Sequence, residues 1–165
     1  MVRRMRSVMP GLVGETQSTF VKGQKIHDGA LIACETVHWL KTRKKKVAII
    51  KLDFQKTYDL VKWSFVDIVL QKMGFGWRWR ELVKECVSSA SMSILINDSP
   101  SKPFKMERGL RQGDQPSLFL FVLVVDVLHK MVREAVRNKH ILSLLIGNDN
   151  IELSHLHFAD DTILF

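Results

Sequence analysis

The chain is 165 residues long, carries a formal net charge of +8 with a sequence pI near 9.7, and is 46% hydrophobic. That composition suits one globular core and excludes a disordered chain, while the basic balance favours a polyanionic partner such as nucleic acid. Membrane insertion and secretion are not expected: the longest apolar run, Leu118 to Val125, is closed by Asp126 well short of the roughly 20 residues of a span, and no apolar stretch follows the basic start.

Positive charge gathers at Arg3, Arg4 and Arg6, then again in Lys41-Thr-Arg-Lys-Lys-Lys46. Arg43, Lys44, Lys45 and Lys46 are therefore candidate phosphate contacts, with a solvated basic face as the alternative. Between the two clusters, Ile26, Ala30, Cys34, Val37 and Leu40 recur at helical spacing and predict a helix packed on the core. Five of the six residues Val47 to Leu52 are apolar, which predicts a buried strand ending at Asp53. Val61, Phe65, Ile68, Val69 and Met73 predict a helix closed by Gly74, and a second helix is expected over 78–89. Trp77 and Trp79 fit one side of that helix together with Leu82, Val83 and Cys86; stacking on bases is their alternative role. Ser91 to Ile96 alternates and meets a turn at Asn97-Asp-Ser-Pro100, with a partner strand near Phe104 and Met106. Asp114 is a helix N-cap, Pro116 is tolerated in the first turn, and the apolar helix should run to about Asn138. Gly147 to Asn150 then turn the chain into a strand carrying Asp160 and Asp161. This succession is α+β, with helices packed on one face of a small antiparallel sheet. Cys34 and Cys86 have no metal-ligand spacing and fit a reducing compartment, so the nucleus or cytoplasm is the expected location.

The chemistry rests on carboxylates. Asp160 and Asp161 lie between two short apolar runs, as in strand–turn–strand, and Asp53 ends another strand. If those strands are neighbours, Asp53 and Asp160 face each other across about 4 Å, the spacing of a two-metal site. Three carboxylates so placed repel by about 4 kcal/mol per pair at an effective dielectric near 20, so a cation must offset them, and magnesium suits an all-oxygen site. Taken singly, Asp53 is equally a cap for the next helix, and Asp-Asp is a common turn pair.

Lys51-Leu-Asp-Phe-Gln-Lys-Thr-Tyr-Asp59, Arg108-Gly-Leu-Arg-Gln-Gly-Asp114 and Phe158-Ala-Asp-Asp161, in this order, resemble three palm motifs of the reverse transcriptases of non-LTR (LINE-type) retrotransposons, in a plant-like version. The resemblance extends from Gln17 to Phe165. It implies a polymerase palm over 47–165 preceded by part of the fingers over 1–46, and RNA-directed DNA polymerase activity in a longer parent protein. On this resemblance Asp53, Asp160 and Asp161 are catalytic and hold two Mg²⁺ ions, for which Mn²⁺ substitutes, with the Phe54 carbonyl as a neutral ligand. Tyr58 would pack beneath the nucleotide sugar, or be an ordinary half-buried tyrosine. Arg111, Gln112 and Gly113 would contact the incoming nucleotide. The implied partners are an RNA template, a DNA primer and deoxynucleoside triphosphates. The family's earlier finger strands, thumb and endonuclease have no counterpart here, so the chain is expected to be a fragment, inactive in isolation; a catalytically silent nucleic-acid-binding remnant is the alternative. Departures from the family pattern are Gln115-Pro-Ser-Leu118 in place of Pro-Leu-Ser-Pro, Gln55 for Glu, Thr57 for Ala, and Asp126 for Glu.

Overall fold

The computed structural model describes residues 2–13, 26–54, 56–147, 150–158 and 161–165, without the side chains of 26–28 and 157–158. The chain divides into two compact units, Met1–Gln55 with Val122–Phe165, and Lys56–Phe121.

The first unit opens with helix α1, Val2–Leu12, in which Met5 and Met9 are fully buried. Its arginines masked it in the sequence reading, although Val2, Met5, Met9 and Leu12 keep helical spacing. Helix α2, Ile26–Thr42, is the expected one with its buried face rotated: Gly29, Thr36 and Leu40 are buried while Ala30 and Cys34 are exposed. Ala33 on the same side packs against Leu153, Leu156 and Phe165. The buried face is thus the one that carries Ala33 to this cluster, while Leu31 and Ile32 of the more apolar neighbouring stripe stay exposed. At the end of α2 the Lys44 amide donates to the Lys41 carbonyl and the Lys45 amide to the Leu40 carbonyl, with Lys44 at φ 51°. This is a Schellman ending with lysine in the position that glycine favours.

Strands β1 (Ile50–Asp53), β8 (His155–Phe158) and β9 (Asp161–Leu164) form an antiparallel sheet in the order β1-β9-β8. The expectation of a buried strand from Val47 is corrected here: β1 begins at Ile50, which is 51% exposed, because among the described residues the strand lies at the sheet edge with a neighbour on one side only. Strands β6 (Leu144–Ile146) and β7 (Ile151–Leu153) form a separate hairpin. The turn after Ile146 thus leads back along β6 rather than directly into the strands flanking the Asp pair.

In the second unit, α3 (Thr57–Leu60) and α4 (Trp63–Lys72) replace the single helix expected from Val61. Helix α4 ends at Gly74 as expected, with φ +83° and the Phe75 amide donating to the Leu70 carbonyl. Helix α5, Trp77–Ser88, buries Val83 and leaves Trp77, Leu82 and Cys86 exposed. Trp79, one turn before Val83, packs on Phe75, so the two tryptophans do not share a face. Four two-residue strands follow: β2 (Ser91–Met92) pairs with β5 (Phe104–Lys105), and β3 (Leu95–Ile96) with β4 (Ser99–Pro100). Asn97 and Asp98, both at positive φ, form the tight turn between β3 and β4 that hairpin twist demands. Helix α6, Gln115–Arg137, starts directly after Asp114 and holds Pro116 in its first turn. Its early turns belong to the second unit and the rest to the first.

Candidate metal and nucleotide site

Pairing of β1 with β9 sets Asp53 directly opposite Asp161, and pairing of β8 with β9 sets Phe158 opposite Asp161. Cross-strand partners share a face with Cβ atoms roughly 4.5–5.5 Å apart, so two carboxylates far apart in sequence meet at one end of the sheet. Lys51, two residues before Asp53, shares that face, and its Nζ lies 3.1 Å from Asp161 Oδ2. Asp53 is exposed and the Asp161 side chain is 34% exposed. Two accessible all-oxygen ligands suit a hard divalent cation. Among the described residues no third acidic or imidazole ligand joins them. Asp160, expected to be that ligand and to face Asp53, lies outside the described residues. Phe54, whose carbonyl was the expected neutral ligand, directly follows β1.

The second unit holds Tyr58 and Arg111 to Gly113, and here the second motif closes on the end of the first motif and the chain that follows it. The Gly109 amide donates to the Val61 carbonyl at 2.8 Å and the Leu110 amide to the Tyr58 carbonyl at 2.7 Å, while Trp63 Nε1 donates to the Gly109 carbonyl at 2.7 Å. Gly109 has φ +89°, and a Cβ there would stand 2.8 Å from the Asp59 carbonyl oxygen. The Tyr58 ring stacks on Phe121 with centroids 3.9 Å apart and planes 17° from parallel. Tyr58 is half-buried, with one ring face covered by this contact. Arg111, Gln112 and Gly113 are exposed; Gly113 has φ +86° and open space where a side chain would be. The altered residues after Asp114 leave the helix entry intact, since the Leu118 amide donates to the Asp114 carbonyl at the start of α6.

The basic residues Arg43, Lys44, Lys45 and Lys46 are all exposed in the first unit, where α2 gives way to β1. Sequence reasoning gave no role to four residues that the structure singles out: Lys51, Trp63, Gly109 and Trp39, whose ring meets the Arg43 guanidinium and the Lys45 ammonium. Lys51 was legible from its spacing to Asp53, since i and i+2 share a strand face. The others depend on contacts distant in sequence or on a folded-back turn.

A family model described as reverse transcriptase (RNA-dependent DNA polymerase) matches residues 1–165. An uncharacterised 149 kDa protein of transposon TX1 from Xenopus laevis is 27% identical over 161 residues, covering 98% of this chain and 12% of that protein. An uncharacterised mitochondrial protein of Arabidopsis thaliana is 38% identical over 69 residues, 42% of this chain and 57% of its own length. The retrovirus-related Pol polyprotein of the type-1 retrotransposable element R2 from Popillia japonica is 27% identical over 125 residues, 75% of this chain and 17% of that polyprotein. The fold is similar to that of telomerase from Candida albicans, solved in complex with a fragment of telomeric RNA, with TM-score 0.63, 13% identity, and coverage of 99% of this chain and 29% of that one. It is likewise similar to apo telomerase from Candida tropicalis, with TM-score 0.61, 12% identity, and 98% and 33% coverage. The chain spans between about an eighth and somewhat over half of the length of the first two relatives. With the family's pattern matched from the first residue to the last, on an α+β fold that brings the first and third motifs together, this chain belongs to the reverse transcriptase family.

Proposed function

We propose that this chain is the palm, with part of the fingers, of a non-LTR retrotransposon polymerase that copies RNA into DNA. The observation that carries the reading is the register of β1 and β9, which sets Asp53 opposite Asp161 in a chain whose whole length fits the family. Reverse transcriptases generally use divalent metal ions. The finer assignment is that Asp53, Asp160, Asp161 and the Phe54 carbonyl hold two magnesium ions, with manganese as a substitute. Bound there, the ions would supply positive charge to the attacking and leaving oxygens of an in-line displacement. In that reaction the primer 3′-hydroxyl oxygen bonds to the α-phosphorus of a deoxynucleoside triphosphate and gives its proton to solvent, while the bond from that phosphorus to the α–β bridging oxygen breaks and pyrophosphate leaves.

The chain's own residues orient the reactants. Arg111 supplies a fixed cation for phosphate, Gln112 offers a donor and an acceptor, and Gly113 leaves room for close approach to the backbone. Tyr58, held on one face by Phe121, presents its phenol edge toward the sugar of the bound nucleotide in this reading. Arg43 to Lys46 contact the phosphates of template or primer.

One observation favours the catalytically silent alternative: Lys51 already occupies Asp161. Thermal melting with Mg²⁺ or Mn²⁺ separates the two. In the catalytic-site reading the metal raises Tm by mass action, about 2.7 kcal/mol of stabilisation at a hundredfold excess over Kd. Asp53→Asn and Asp161→Asn abolish that gain, and Lys51→Met enlarges it by removing the competing ammonium. An equal metal response in wild type and both Asp variants would defeat the assignment. Polymerase activity itself is tested by primer extension with the parent protein encoded by the whole reading frame.

A further inference from the structure

At the end of α2 the indole of Trp39 carries two cations. The Arg43 guanidinium carbon lies 5.2 Å from the ring centroid and the Lys45 ammonium 4.7 Å from it. Arg43 reaches the ring from one turn along the helix. Lys45 reaches it only because the chain folds back after Thr42, with Lys44 held at φ 51° and the Lys45 amide bonded to the Leu40 carbonyl. L-residues rarely adopt that left-handed conformation. Beside the ring is an open hollow of about 580 Å³ lined by Cys34, Glu35, His38, Trp39, Thr42 and Arg43. Its lining includes one cation, Arg43, and one carboxylate, Glu35, and the residues that follow in the chain add the exposed cations Lys44 and Lys46.

A basic run at a helix C-terminus also complements the helix dipole, and that role would explain Lys41 and Arg43 by themselves. It does not explain why Arg43 and Lys45 meet at a half-buried indole that lines a concavity. We infer that Trp39, with Arg43 and Lys45 at its ring, is a base-stacking platform for single-stranded nucleic acid, its phosphates taken by Lys44 and Lys46. An unpaired base offers a flat π-face that an indole can meet, whereas in a duplex those faces are already stacked. The flanking cations, drawn to the phosphates, leave the ring to the base. The site therefore selects strand state without reading base sequence. This deepens the phosphate contact proposed for Arg43 to Lys46 and rests on it.

The test compares a fluorescent single strand of about a dozen nucleotides with a duplex of the same length, bound to the wild type and three variants whose melting curves establish folding. Trp39→Ala should weaken single-strand binding roughly tenfold and leave duplex binding unchanged, while Trp39→Phe keeps most of the affinity. The triple variant Lys44→Gln, Lys45→Gln, Lys46→Gln should weaken both probes and flatten the salt dependence. Weakening by the lysine variant but not by Trp39→Ala overturns the stacking platform and leaves the phosphate contact standing. Equal loss for both probes in Trp39→Ala assigns the ring a structural role and likewise overturns the inference. No loss in any variant removes the phosphate contact as well.

Discussion

A methyl group added at position 109 would stand 2.8 Å from the Asp59 carbonyl oxygen, in a backbone conformation that L-residues avoid. Neither party can give easily, because both are main chain and Gly109 bonds to the Val61 carbonyl through its own amide. Gly109→Ala should therefore destabilise the second unit by about 3 kcal/mol, combining left-handed strain with overpacking. Urea titration followed by tryptophan fluorescence would measure it, and a loss below about 0.5 kcal/mol would contradict the close approach. Gly113, two residues before the helix entry, has an equally positive φ but open space around it, so its side-chain-free surface is available to a ligand instead. The sequence distinguishes these two glycines poorly. Both fall in one short motif, and only the fold puts Asp59 against one of them.

Three helices end in the same way. The turn after α4 uses Gly74, while those after α2 and α6 place Lys44 and Lys139 in the glycine position, at φ 51° and 59°. At the end of α6 the Lys139 amide donates to the Val136 carbonyl at 2.9 Å and the His140 amide to the Ala135 carbonyl at 2.8 Å. Lys139→Gly should relieve the strain and raise the unfolding free energy by up to about 1 kcal/mol, seen as a higher denaturant midpoint at unchanged slope. An unchanged or lower midpoint would show that the lysine contributes contacts worth as much as its strain. Most helices were legible from periodicity: α2, α4, α5 and α6 fall close to where the spacing of apolar residues puts them. Their buried faces were less so, since α2 buries Gly29, Thr36 and Leu40 while Leu31 and Ile32 stay exposed, and hydrophobicity points elsewhere. The Asp53 strand and its hairpin partner were also legible, whereas the exposure of Ile50 follows from edge position, which no local pattern encodes.

For the molecule as a whole, acid should be destabilising. His129 of α6 is buried, and its Nδ1 meets Nε2 of His155 on β8, so one ring donates and the other accepts. Burial holds His129 below the usual histidine range; the nearby Asp126 carboxylate opposes this, and the Arg133 and Lys130 cations add to it. From the strand side the facing polar groups are His155 and Ser154, whose Oγ lies 2.8 Å from His155 Nδ1. A histidine with a lowered pKa binds its proton more readily when unfolded. Its contribution to stability is therefore complete above the unfolded value of about 6.5 and is lost progressively as the pH falls below that. Urea midpoints should drop between about pH 7.5 and pH 5.5, and His129→Gln should shrink the drop; identical pH profiles would exclude His129 as its source. Among the described residues no helix is long and apolar enough to cross a membrane. The alignment of Asp53 with Asp161 also has a kinetic meaning. The helices form from neighbours in sequence, but β1 waits for β9, more than a hundred residues further on, and the entropy of closing so long a loop must be met before their ladder forms. On a ribosome, Asp53 emerges well before its cross-strand partner and stays unpaired in the ladder until β9 has followed. The acidic pair is thus assembled only after the helices between its two members have been synthesised, and those helices can form first.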